Sequence, residues 1–483
     1  MGKIGEKMSE KQQGIKNLNF FNFKKFDSQY LITNDIGSFL FISNEEFARL
    51  IDGSWEEDIE LSSRLIDKGF AFSNNKDLFV MSNSTKLRER KGHLFHATQL
   101  HIFVLTLRCN QSCLYCQASA QSESKESLDM DIQTAEKAVD IALQSPSKFL
   151  TFEFQGGEPL LNLETLKHII AYTKTRSGDK QIIYNLITNL TQIDDSTIEF
   201  LINEKVNVST SIDGPKLLHD HNRPLKGTSA FELVKENVQR FNRKISETNS
   251  NITLQAILTT TRESLTLSRE IIDEYISLGF RNVFLRPLTP LGISKRNWTN
   301  IGYTPEEFLI FYKQCLDYLL QLNRQGSIIS DVQTNIFLQR IFKKGATNYM
   351  DLRSPCGGAL GQLAYNYNGD IYTCDEGRMV SQAGDESFRL GNVFEHQYID
   401  LIENPITKSV CIASCIEALP SCAECVYSPY CGTCPILNYT EQKTIFGQMP
   451  SNYKCKIHKG ILDNIFKELN SEGSILRANS NIK

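Results

Sequence analysis

The sequence predicts an α/β chain built round a partial, six-unit TIM-like (β/α)6 barrel, with a small α+β module before it and a cysteine-rich, metal-organised region after it. Three observations carry this. Between Leu100 and Pro287 the apolar runs "LHIFVLTL", "FLTFEF", "IIYNLIT", "VNVSTSI", "ITLQAILT" and "NVFLRPL" alternate with amphipathic segments, the pattern of parallel strands covered on both faces. Ten of the thirteen cysteines fall in clusters. At 483 residues the chain also exceeds one ordinary core, so two or three domains are expected.

Composition removes several function classes. With 41% hydrophobic and 22% charged residues and a net charge of -4, neither wholesale disorder nor a nucleic-acid footprint is expected. No apolar segment follows the lysines of "MGKIGEKMSEKQQGIK", and none approaches the ~20 residues that span a bilayer, so no membrane association and a cytoplasmic location are expected. In a reducing compartment clustered cysteines point to metal, catalysis or burial before disulfides. Cys315 falls on the apolar stripe of "FLIFYKQCLDYLLQL" and reads as core.

Residues 17–82 read as strand, turn, strand, helix, helix and short strand, with Asn44 as an N-cap ahead of Glu45 and Glu46. "SNSTKLRERKGH" reads as a linker. The barrel follows over 97–288, connecting helices over 289–350, the cysteine-rich domain over 351–470, and a disordered tail over 471–483. Each barrel strand ends in polar or special residues: Arg108 and Cys109; Gly156, Gly157 and Glu158; Asn189; Ser211 and Asp213; Thr259 and Thr260; Arg286. In a parallel barrel those ends share one rim, where active sites are built.

Cys109, Cys113 and Cys116 form C-x3-C-x2-C after the first barrel strand. Three thiolates can each hold one iron of a [4Fe-4S] cube and leave the fourth iron open. A zinc site completed by His101 and a plain structural loop are the alternatives on spacing alone. The triplet, with Tyr115 before its last cysteine, resembles the signature of the radical S-adenosylmethionine (SAM) superfamily. "FQGGEPLLN" is similar to that family's GGE motif, and "STSIDGPKLLHDHNRP" to its SxDG…HxxxR segment. The resemblance implies that Gly156, Gly157 and Glu158 receive the methionyl amino group, that Ser211 and Arg223 meet the carboxylate or ribose, and that Tyr115, Asn189, Asp213 and Arg286 complete the SAM site. For Asn189, Asp213 and Arg286, local rim hydrogen bonding is an equal reading.

Cys356 and Cys374 fit C-x12-G-x4-C, Cys422, Cys425, Cys431 and Cys434 fit C-x2-C-x5-C-x2-C, and Cys455 follows. A pair of zinc ribbons is one reading. The order resembles the SPASM domain, which carries two auxiliary [4Fe-4S] clusters. That resemblance implies one cluster on Cys422, Cys425, Cys431 and Cys455 and another on Cys356, Cys374 and Cys434. The usual last spacing is x3, and "CGTC" has x2. The fourth ligand of the second cluster is not evident; Cys411 or Cys415 is a candidate. Asp375 stands where sulfatase-maturating relatives carry an acidic residue proposed as a base, against the reading of a surface carboxylate.

With "FLRPL", "YNYNGDIYTCDEGRM" and "CAECVYSPYCGTCP", the chain looks most like the His-Xaa-Ser system radical SAM maturase B group, with a sister maturase group as the alternative. Its N-terminal module is similar to the PqqD-like winged-helix element that holds a substrate leader, through strand addition at a sheet edge; packing alone is the other reading. The resemblance implies a peptide maturase that uses a 5'-deoxyadenosyl radical on a ribosomally made precursor peptide with a leader. It implies an electron donor such as flavodoxin or ferredoxin, and a second maturase as a further partner. Oxidative crosslinking ranks first among outcomes, ahead of epimerisation with Cys415 or Cys411 as hydrogen donor. A small-molecule or protein substrate is a further reading, and a zinc-stapled binding scaffold is the one from another class.

Overall fold

The computed structural model describes residues 17–471 except 74, 344 and 346–348, together with 474 and 476. The N-terminal lysine-rich segment and most of the expected tail lie outside the described residues.

The chain opens with an antiparallel meander of β1 (Asn22–Phe26), β2 (Gln29–Thr33) and β3 (Phe39–Ser43), followed by α1 (Asn44–Asp52) and α2 (Ile59–Asp67). Trp55, Leu61, Leu65 and Phe70 bury a core of their own against Ile32 and Ile42. Two local expectations change. The N-cap of α1 is Ser43, one residue before Asn44, because its Oγ accepts from Glu46 N while the Glu46 carboxylate accepts from Ser43 N, a reciprocal capping box. The stretch expected as a linker is mostly α3 (Lys76–Arg90), capped by Asn75 and free of Gly and Pro, so nothing in it breaks a helix.

Six parallel strands follow: β4 (Leu100–Thr106), β5 (Phe149–Gly156), β6 (Gln181–Ile187), β7 (Val206–Ser211), β8 (Leu254–Thr259) and β9 (Leu285–Arg286). They lie in sequential order, each beside its predecessor. Alternation decides their faces. Leu150, Phe152 and Phe154 of β5 enter the large core with Val139, Leu166 and Ile169 of the covering helices, while Gln155, on the other face, lines a cleft.

The barrel sheet does not end at β4. β10 (Gln362–Tyr365) of the cysteine-rich domain pairs parallel to β4 in register Gln362↔Leu100, and β11 (Asp370–Tyr372) and β12 (Arg389–Asn392) extend the sheet antiparallel to nine strands. The C-terminal helix, α4 (Tyr453–Asn470), packs beside the helix Pro305–Arg324, where Cys315 is fully buried. The N-terminal module rests on the cysteine-rich domain. Phe39 meets Phe466 edge-on at 5.3 Å, Thr33 Oγ1 donates to Val426 O at 2.7 Å, and Lys24 pairs with Asp463.

Candidate active site

The C-terminal ends of the barrel strands frame a cleft of about 830 Å³ lined by Cys109, Cys113, Cys116, Gly156, Gly157, Asn189, Ser211 and Arg223. Cys109 Sγ accepts from Gln111 N at 3.4 Å and Cys116 Sγ from Ala120 N at 3.4 Å, so backbone amides already face two of the sulfurs. Arg223 Nη1 lies 3.9 Å from Cys113 Sγ. Burial pushes the Cys113 thiol up to about 12 against the opposing pull of Arg223, and burial also lifts Cys109. Metal binding takes such thiols as thiolates. With all three sulfurs lining one cleft, the triplet fits an iron-sulfur cluster.

The glycines are there because nothing else fits. Gly156 has φ +142°, and a Cβ on it would come to 2.1 Å from Thr106 O; one on Gly157 would come to 2.0 Å from Arg108 O. Gly157 N and Glu158 N donate to those same carbonyls at 2.8 and 2.7 Å, stitching the turn to the strand that delivers Cys109. Glu158 itself is buried behind the turn. Its carboxylate accepts from Leu160 N at 3.0 Å, Thr188 Oγ1 at 2.7 Å and Asn189 N at 2.8 Å, and it does not line the cleft. It braces the rim by tying the second strand end to the third.

Asp213 is likewise a brace. It is fully buried and accepts from Tyr115 OH at 2.5 Å and Arg223 Nε at 3.2 Å, and the Arg223 guanidinium lies 5.1 Å above the Tyr115 ring. The Asp213 carboxylate outweighs desolvation and keeps Arg223 cationic. Asn189 Nδ2 donates to Asn110 Oδ1 at 2.7 Å and approaches Cys109 Sγ at 3.9 Å. His101, the alternative fourth ligand, is buried within the sheet with Nδ1 2.9 Å from Tyr365 OH, away from the cleft.

Arg286 lines a second cavity, of about 800 Å³, which shares Gln117 with the first and includes Tyr349, Asp351, Glu376, Lys454 and His458. Asp375 lines neither. Its Oδ1 takes Arg378 Nε and Nη2 at 2.8 Å each, and Arg378 is among the most buried side chains. Cys411 and Cys415 also lie outside both; Cys415 Sγ donates to Cys411 O at 3.4 Å, close to Glu417 and Lys91.

Cys422, Cys425, Cys431 and Cys455 line one cavity of about 490 Å³, and Cys431 Sγ is 3.6 Å from His458 Nδ1. Cys356, Cys374 and Cys434 are buried, and Cys374 and Cys434 lie in one buried cluster. Among the described residues no three His, Cys, Asp or Glu side chains close round a single-ion site; thiolates on a cubane each meet a different iron. Sequence reasoning missed Gln111, Gln117, Gln155 and Met379 in the cleft, and Asp351, Glu376 and Lys454 beside it. For Glu376 and Lys454 the available signal was adjacency to a clustered cysteine; Asp351 and Met379 carried none.

Fold and cleft together define a radical SAM domain, and residues 103–265 match the family model described as the Radical SAM superfamily. Residues 103–265 thus form a radical SAM domain, the fold of an enzyme, and the cysteine-rich C-terminal region fits a SPASM domain. It is 25% identical over 369 residues to a cysteine-type anaerobic sulfatase-maturating enzyme of Clostridium perfringens (strain 13), covering 75% of this chain and 94% of that one. Over 229 residues it is 26% identical to the radical SAM cyclopropyl synthase TigE of Paramaledivibacter caminithermalis, 43% of this chain and 45% of that protein. In structure it is similar to native anSMEcpe with bound AdoMet, with TM-score 0.66 and 22% identity over 80% of this chain and all of the other. Streptococcus suis SuiB bound to precursor peptide SuiA gives TM-score 0.54 and 13% identity over 91% of this chain and 99% of the other. The Radical SAM match over residues 103–265 speaks against the reading as a zinc-stapled scaffold. No helix among the described residues is long and apolar enough to cross a membrane.

Proposed function

We propose that the chain modifies a ribosomally made precursor peptide, installing an oxidative crosslink on a core side chain. The observation that carries this is one rim on which three partly buried thiols and a glycine turn open onto a common cleft, next to a charged cavity that shares Gln117 with it. When bound, a reduced [4Fe-4S] cluster and SAM supply a 5'-deoxyadenosyl radical. Cys109, Cys113 and Cys116 hold the cluster, and Gly156 and Gly157 let the backbone approach the methionyl amino group. Asn189, Ser211 and Arg223 offer the polar contacts for its carboxylate and ribose. Glu158 and the Tyr115–Asp213–Arg223 network keep those groups in place, so that water is excluded without reorganisation.

Two auxiliary clusters follow from the same reading, on Cys422, Cys425, Cys431 and Cys455 and on Cys356, Cys374 and Cys434. They give the chain a sink for the electron that a net oxidation leaves behind. Crosslinking is favoured over epimerisation because neither candidate hydrogen donor, Cys411 or Cys415, lines the cleft or the cavity. The N-terminal module over 17–82 holds the leader by strand addition at an edge of its three-stranded sheet. The likeness to SuiB bound to its precursor peptide supports a peptide substrate. A flavodoxin or ferredoxin supplies electrons in the cytoplasm, and a second maturase is a further partner.

The test is anaerobic incubation with SAM, a reductant and a candidate precursor peptide from a short open reading frame beside the gene, read by mass spectrometry. A loss of two hydrogens is expected. Unchanged mass with deuterium uptake from solvent would replace crosslinking by epimerisation.

A further inference from the structure

Cys422, Cys425 and Cys431 are carried by the segment 422–431, whose regular structure is the single turn Ser428–Tyr430. Such a segment leaves carbonyls without ladder partners, and a buried carbonyl needs one. Here the partners come from the other end of the sequence. Asn22 Nδ2, at the start of β1, donates to Ala423 O at 3.0 Å and to Cys425 O at 3.2 Å. Thr33 Oγ1, at the end of β2, donates to Val426 O at 2.7 Å. Asn22 and Thr33 stand opposite one another in the β1–β2 pairing and are both buried, so the pair meets the segment as one face shielded from water.

The contacts continue to the next cysteine and to the last one. Arg90, the final residue of α3, donates to Pro429 O, and its guanidinium lies 5.5 Å from the centre of the Tyr430 ring. Tyr430 OH in turn donates to Gly37 O at 3.1 Å, and a Cβ on Gly37 would come 2.3 Å from Arg90 Nη1, so the tip of the β2–β3 hairpin lies directly on that arginine. Lys24, two residues along β1 from Asn22, pairs with Asp463 of α4, the helix that carries Cys455. Tyr427 OH of the segment donates to that same carboxylate. The module therefore touches both pieces of chain that deliver the four cysteines.

We propose that the N-terminal module has a role besides holding a leader: Asn22 and Thr33 are positioning residues for the auxiliary cluster on Cys422, Cys425, Cys431 and Cys455. They act through the backbone that carries Cys425 and leads to Cys431. This rests on the auxiliary-cluster reading above and is independent of leader capture.

The experiment uses the anaerobic full-length holoprotein with SAM present, so that the open iron of the first cluster is covered. Iron release to a chelator is followed in time, and the EPR spectrum of the dithionite-reduced auxiliary clusters is recorded. Thr33→Val keeps the side-chain shape and removes the donor. Combined with Asn22→Ala, it should speed iron release by about tenfold and alter the EPR spectrum. Persistence of SAM cleavage in the double variant shows that the chain is folded. Thr33→Ser, which keeps the hydroxyl, should behave as wild type. Ser43→Ala loosens the module at its capping box without touching the segment 422–431, and should leave release and spectrum unchanged. Wild-type release and spectrum in the double variant overturn the proposal. An equal change in Ser43→Ala also overturns it, because general loosening of the module would then account for the effect. Cys422→Ala separates the two levels, since it should remove about a third of the total iron. No fall there would overturn the auxiliary cluster itself, and a normal fall beside a silent double variant overturns only the positioning role.

Discussion

Gly157 sits where a single methyl group would strike the Arg108 carbonyl at 2.0 Å, on the strand end that delivers Cys109. Gly157→Ala should therefore weaken SAM binding by at least about tenfold, near 1.4 kcal/mol, in equilibrium dialysis, with the iron content of the triplet retained. Glu153 makes a different prediction. Burial, then the Asp375 charge, raises its carboxyl to about 7, against about 4.3 when unfolded. The protonated form is favoured in the fold, so its stabilisation is complete below about pH 4.3 and disappears as pH rises through about 7, a change of up to about 4 kcal/mol. Melting of wild type should fall between pH 5 and pH 7.5 relative to Glu153→Gln; parallel curves would contradict the shift. At this scale the triplet and the glycine turn were legible because their chemistry demands fixed residue types at short spacing. Asp351 was not, and the cavity it shares with Glu376 and Lys454 was not, since only folding brings residues from three separate segments together.

Among the elements, the six barrel strands were legible from continuous apolar runs, because parallel strands are buried on both faces. β1 was not, since "NFKKF" alternates Phe with Lys too briefly to stand apart from a polar turn. The pairing of β10 with β4 was invisible for another reason: a four-residue strand more than 250 positions away leaves no local trace of its partner. The Ser43 capping box is worth about 1 kcal/mol, so Ser43→Ala should lower the stability of the N-terminal module by that amount, while Asn44→Ala should do little. Thermal melts of the two variants distinguish them.

Across the whole molecule, the N-terminal module leans on the cysteine-rich domain, and that domain continues the barrel sheet. The N-terminal module, the C-terminal cysteine sets and the rim cleft are thereby set in one frame, the arrangement the proposed leader capture requires. Removing residues before about His93 should weaken binding of the precursor peptide while SAM cleavage without peptide persists; unchanged peptide affinity would leave the module a packing element. The central claim is that Cys109, Cys113 and Cys116 hold the cluster that cleaves SAM. It is tested most directly by 5'-deoxyadenosine formation in the variant with all three replaced by Ala, assayed with dithionite beside its iron content. Loss of deoxyadenosine with about two thirds of the iron retained is the predicted result. Undiminished SAM cleavage in that variant would contradict the account.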